Sequence, residues 1–172
     1  MEYTSAEAGK LLRKLNEEKN QLESMEQRSS MFNAALGEDV ESVRPEYNYA
    51  EVQKKLIELD EKIRTVKHTI NLFNVTQVVP EFEMTIDQML IFIPQLSIRK
   101  SKLQEMSMHL PKERETINSF GRNSNSSVID YRYTNYEIPQ VEKDLQEVSE
   151  LLSKAQTALD VVNNTKKMKI EI

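Results

Sequence analysis

His109 is the chain's nearest approach to a reactive centre. It follows Glu105 by four residues and precedes Glu113 by four. On one continuous helix that spacing would bring two carboxylates and an imidazole onto one face. Pro111 stands between the second and third members and breaks such a helix, so the trio reads as surface residues. His68, the other histidine, lies two positions from both Val66 and Ile70, on the wet side of its helix. Neither His-Glu-x-x-His nor Glu-x-x-His occurs, so the zinc-protease and di-iron bundle patterns are missing. Cysteine is absent, which removes disulfides, thiolate metal sites and cysteine nucleophiles. Gly9, Gly37 and Gly121 are isolated, so no glycine-rich phosphate loop exists, and no nucleophile elbow is present. The reading is of no catalytic residue, no metal and no cofactor. The remaining route to an enzyme is a site assembled between subunits from scattered Glu, Arg and Tyr.

One stretch has the residue types for nucleic acid. Arg99, Lys100, Lys102, Lys112, Arg114, Arg122 and Arg132 lie in or near one region, with Tyr131, Tyr133 and Tyr136 interleaved. Bases stack on such aromatics while cations meet phosphates. The contact candidates are Arg114, Arg122, Tyr131, Arg132 and Tyr133. Against them stands a formal net charge of −5, which weighs against a dedicated polyanion binder. The favoured expectation is a strand whose tyrosines pack on the helices while its arginines stay in water.

These residues must be positioned by helices. Three glycines and five prolines in 172 residues suit long helices with few turns. The expected fold is mainly α: four long antiparallel heptad-patterned helices, as coiled-coil hairpins or a four-helix bundle, with a small β-hairpin or sheet element, in a single domain over 1–172. The first helix spans 5–36, with Ala8, Leu11, Leu15, Leu22, Met25, Phe32 and Leu36 as its seam and Gly37 closing it. A polar linker follows. The second helix spans 49–74, capped by Asn48 with Glu51, and carries a stripe from Tyr49 and Val52 to Ile70 and Phe73. Val75–Phe82 reads as an edge strand or extended crossing, because it is β-branched and holds Pro80. The third helix spans 86–109, a hairpin 112–136, and the fourth helix 138–163. In the terminal segment 166–172, Met168, Ile170 and Ile172 alternate with charges, the period of a half-buried strand.

Within the third helix region, Met84–Leu96 stands apart. Met89, Leu90, Ile91, Phe92 and Ile93 are consecutive and apolar, and Pro94 follows. Five residues cover every direction around a helix, so the segment is expected to be buried on all sides, as a central pillar or a subunit contact. Leu90, Ile91 and Phe92 are the candidates for an oligomer interface. Pro94 removes the amide that would bond Leu90, so a kink is expected.

The second and fourth helices echo one another at a shift of 89 residues. Val52, Leu56, Leu59, Ile63 and Phe73 fall on Val141, Leu145, Val148, Leu152 and Val162, and Asn-x-Thr ends both, at Asn74–Thr76 and Asn163–Thr165. Either two heptad helices simply align on their apolar positions, or two helical hairpins are related by a pseudo-twofold, their tails pairing in one small sheet. Together with Asn125-Ser126-Ser127, the two Asn-x-Thr sites match the glycosylation pattern. No secretion signal is visible, so they read as chance or turns.

Ile70–Thr76 (INLFNVT), Met84–Leu96 (MTIDQMLIFIPQL) and Asn135–Thr165 resemble a family of small bacterial helical proteins sometimes labelled "septicolysin". The resemblance covers the chain from about position 11 onward. It implies a long-helix, coiled-coil-like assembly with a small β element, no established activity and no catalytic residues to carry over. The label implies a thiol-activated cytolysin. A chain without cysteine and without an apolar run of roughly 20 residues does not fit it. The functional expectation is a non-enzymatic, cytoplasmic homo-oligomer acting through protein–protein contacts, with no role for a membrane.

Overall fold

The computed structural model describes residues 1–114 and 130–172. They form two compact units, one of residues 1–87 with 159–172, the other of residues 88–158. The protein is mainly α-helical with small antiparallel sheets, as the heptad patterns predict.

The first unit opens with strand β1 (Glu2–Thr4), which runs straight into helix α1 (Ser5–Ser29). Thr4 ends the strand and caps the helix. Its hydroxyl accepts from the Glu7 amide, and the Glu7 carboxylate accepts from the Thr4 amide at 2.8 Å. These bonds, the Thr4 amide first, hold the Glu7 carboxyl below its usual range. Helix α3 (Tyr49–Thr76) is capped by Asn48, whose side chain accepts from the Glu51 amide. The two helices pack against each other and run antiparallel. Lys19 reaches Asp60 at 2.7 Å, and seven residues further along α1 Glu26 meets Gln53, seven residues earlier on α3. Ala8 and Leu15 from α1, and Val52, Leu59, Ile63, Val66 and Phe73 from α3, are buried. Tyr49, expected in that stripe, is exposed at its outer end.

The same register explains where α1 stops. Four residues beyond Glu26 is Ser30; four before Gln53 is Tyr49, the first residue of α3. Past that point α3 offers no further residue, so the apolar pattern through Phe32 and Leu36 has no α3 face to pack on; the Phe32 ring instead meets Arg44, its guanidinium carbon 5.8 Å from the ring centre. A helix in water needs such a partner, and α1 ends at Ser29, short of the expected position 36. Leu36 is fully exposed. Gly37 is therefore no helix cap. It sits at φ +88° in the connecting loop, a backbone only glycine adopts without strain. One further turn of helix, α2 (Val40–Val43), forms inside that connection, capped by Asp39.

After α3 comes a tight hairpin of β2 (Val78–Val79) and β3 (Met84–Thr85), with Val78 opposite Thr85. Glu83, at φ +53°, completes its turn. Strand β6 (Lys167–Lys169) pairs antiparallel with β1, Tyr3 opposite Met168. The pairing of the two tails in one sheet, one of the two readings of the echo, does not occur among the described residues: each tail instead pairs with the strand that opens the other half. Entering the other half's opening strand satisfies the backbone of both, whereas tail-to-tail pairing would leave two opening strands bare.

Helix α5 (Ile138–Thr165) passes from the second unit into the first. It has 28 residues, as α3 does, and the 89-residue echo is reproduced atom by atom at the two helix ends. The Gln77 amide donates to the Phe73 carbonyl and the Lys166 amide to that of Val162. Thr76 and Thr165 donate their hydroxyls to the carbonyls of Leu72 and Val161. Asn74 Oδ1 and Asn163 Oδ1 are both buried, with no hydrogen-bond partner among the described residues. The two Asn-x-Thr motifs thus belong to helix ends with inward-turned asparagines. Asn125 lies outside the described residues.

In the second unit, helix α4 (Ile86–Ser107) runs through Pro94 without ending. It stops two residues before the expected position 109. Met89, Leu96 and Leu103 are buried at seven-residue spacing, as are Val141, Val148 and Ala155 on α5. Of the two readings of Met84–Leu96, a central pillar enclosed on every side within the chain is not what forms; the other, a subunit contact, calls for open residues. Met89 is fully buried, but Leu90 is 50% and Ile91 58% exposed. The helix has one covered arc and one open apolar arc.

That phase gives a direct test by chemical denaturation. Met89→Ala should destabilise the fold by about 2–5 kcal/mol, and Leu90→Ala clearly less; the opposite order would place α4 in the wrong rotation. A pH test comes from the end of the α1–α3 pair. The Tyr47 hydroxyl donates to Glu26 Oε1 at 2.7 Å, and this bond pushes the phenol up from 10.0 to about 12. A raised folded-state value stabilises fully below the unfolded value and is lost as pH climbs through the folded one. The stability difference between the native chain and Tyr47→Phe should therefore be level up to about pH 10 and shrink toward pH 12; a difference that grew over that window would contradict the bond.

Candidate functional site

A cluster of exposed cations and aromatic rings on two short strands lies at one end of the second unit. α4 closes at Ser107, and Pro111 starts strand β4 (Lys112–Arg114), which pairs antiparallel with β5 (Tyr131–Tyr133). The base of this hairpin is tied twice. The Tyr136 hydroxyl donates to the Met106 carbonyl at 2.9 Å, and the Thr134 amide donates to the Pro111 carbonyl. These bonds bring the end of α4 to the approach of α5.

The register sorts the side chains. Lys112 stands opposite Tyr133, Glu113 opposite Arg132, and Arg114 opposite Tyr131. Opposed residues share a face, and faces alternate along a strand. Lys112, Arg114, Tyr131 and Tyr133 therefore occupy one face, and Glu113 and Arg132 the other. The Lys112 ammonium lies 4.1 Å from the Tyr131 ring centre and 5.5 Å from that of Tyr133. Every residue of both strands is exposed. Tyr131 is 45% and Tyr133 62% exposed, so the expected packing of these tyrosines against the helices is not what forms. The strands are three residues long, and although Tyr133 borders the cleft beside the end of α4, neither ring is buried. Of the sequence's five contact candidates, four are brought into this hairpin, on its two faces. Arg122 lies outside the described residues.

A cleft of about 410 Å³ opens between the last turns of α4 and the hairpin. Met106 and Leu110 give it an apolar part, Lys102, Glu105 and Glu113 bring charge to its walls, and His109 brings an imidazole. The three residues at four-residue spacing thus meet one cavity after all. Yet among the described residues no group of three or more His, Asp or Glu is placed to hold a metal ion. His109 has already left the helix, and Glu113 sits on a strand, so the helical face that the spacing would need is never built.

The oligomer candidates lie elsewhere, on α4. Leu90 and Ile91 are exposed, while Phe92 is half-buried. Ile98, further along the same helix, is 72% exposed. At 100° per residue, Leu90, Ile91, Pro94 and Ile98 fall within about 100° of one another around the helix. Among the described residues no helix is long and apolar enough to cross a membrane.

No family model matches the chain, and no curated protein matches it. A solved structure does: the crystal structure of a functionally unknown conserved protein from Corynebacterium diphtheriae. It shares a TM-score of 0.58 and 15% identity, over 98% of this chain and 100% of that one. At that identity the likeness is one of fold.

The tie at the hairpin base can be tested alone. Tyr136→Phe removes one hydroxyl and should cost about 0.5–1.5 kcal/mol, with faster amide exchange at Thr134. Unchanged exchange there would mean that Tyr136 does not anchor the hairpin.

Proposed function

We propose that this protein is a non-enzymatic helical protein that acts in the cytoplasm through protein–protein contacts and assembles with copies of itself. The kinship to small bacterial helical proteins suggested by its motifs belongs to the same proposal. The observation that carries it is the open arc of α4. Leu90, Ile91 and Ile98 are each at least half exposed on a helix whose adjoining arc is buried. Apolar side chains lined up on one face, rather than scattered singly, mark a contact surface. Burying them against a second copy would remove from water the apolar surface that the fold leaves open, at roughly 25 cal/mol per Å².

Light scattering at micromolar concentration tests this reading. The native chain should run as an oligomer, and Ile91→Glu with Ile98→Glu should reduce it to a monomer of unchanged helicity. Phe92 is less informative, because a half-buried residue reports folding as well as assembly. A native chain that is monomeric, or a double variant of unchanged mass, would refute the proposal.

A further inference from the structure

We infer that the hairpin face carrying Lys112, Arg114, Tyr131 and Tyr133 is a docking platform for single-stranded nucleic acid. The inference is independent of self-assembly, which uses a different helix face. It starts from the two tyrosines. Their rings are 45% and 62% exposed on the ladder, with the Lys112 ammonium over both. A flat ring presented this way accepts a nucleobase, and stacking tolerates any base. Side chains two apart on one strand face are separated by about 7 Å. Successive bases in a stacked helix rise only about 3.4 Å. Two neighbouring rings therefore suit bases of an extended, unpaired strand and not a duplex. Lys112 and Arg114 flank the rings on the same face and supply the positive charge that a phosphate chain requires. Lys112 is not locked in place: an exposed cation–π contact is weaker than a base stack, so a base takes the ring and the ammonium moves to a phosphate. Glu113 points to the opposite face, away from the platform. The formal net charge of −5 makes the attraction local, and the binding weak and strongly salt-dependent.

The full chain is titrated at low salt into short labelled oligouridylate and oligothymidylate, read by fluorescence anisotropy. Both should bind. Tyr131→Ala and Tyr133→Ala should each weaken binding about tenfold, with Tyr133→Phe restoring it. Lys112→Gln and Arg114→Gln should each lower the salt slope by about 0.7. A duplex of equal length should compete poorly. Because all four side chains are exposed, these variants should keep the native circular dichroism. Absence of binding, affinity unchanged in both tyrosine variants, or equal displacement by polyglutamate would each overturn the inference, the last in favour of an acidic-peptide surface. The α4 variant Ile91→Glu should bind as the native chain does, so failure of assembly and failure of nucleic-acid binding are told apart.

Discussion

The pairing of the chain's first strand with its last holds the rest in place. The Met1 ammonium donates to the Ile170 carbonyl and the Ile170 amide donates back to Met1, both at 2.9 Å. Beneath that ladder Met168 and Ile170 are buried. α1 begins at the residue after β1, and α5 ends two residues before β6. The ladder therefore sets the starting point of one long helix and the endpoint of another. Two strands of three residues would be marginal alone. They persist because Met168 and Ile170 reach the interior and because α3 lies against β6. The β2–β3 hairpin does the same at the middle of the chain, so each half of the molecule is closed by a strand of the other.

This reciprocal closure gives the 89-residue echo a physical meaning. Heptad helices align on their apolar positions whatever their history. Matching strand offsets, matching threonine bonds and a matching pair of buried, unpartnered asparagine oxygens do not follow from a heptad. Each half reads strand, helix, connection, helix, strand. What differs is the connection. In the first half it is a loop with one turn of helix and an acidic run (Glu38, Asp39, Glu41). In the second it is the basic, tyrosine-bearing hairpin with its cleft. The two halves are built on one plan and differ most at that connection.

Much of the frame was legible in the residues. Asn48 with Glu51 marked the start of α3, and the positions of Val52 through Phe73 its buried stripe. These signals are local, since capping and period depend on residues within a turn or two. Tyr136 could have been flagged as a buried-hydroxyl anchor, because a tyrosine beside a helix start usually finds a partner. Its partner, the Met106 carbonyl, lies 30 residues away, and no local pattern names it.

By itself, then, the sequence determined the helical class, the helix starts, the absence of a recognisable catalytic motif and the alternation in Tyr131-Arg132-Tyr133 that sends tyrosine and arginine to opposite faces. Tertiary structure decided the rest. It chose which arc of Met84–Leu96 is covered, because a continuous apolar run carries no phase of its own. It ended α1 at Ser29, because α3 has no residue to set opposite the next turn. It paired each tail with the other half's opening strand, and it left both tyrosines in water. Each of these outcomes depends on what stands across a gap of many residues, and side-chain period within a segment is silent about that.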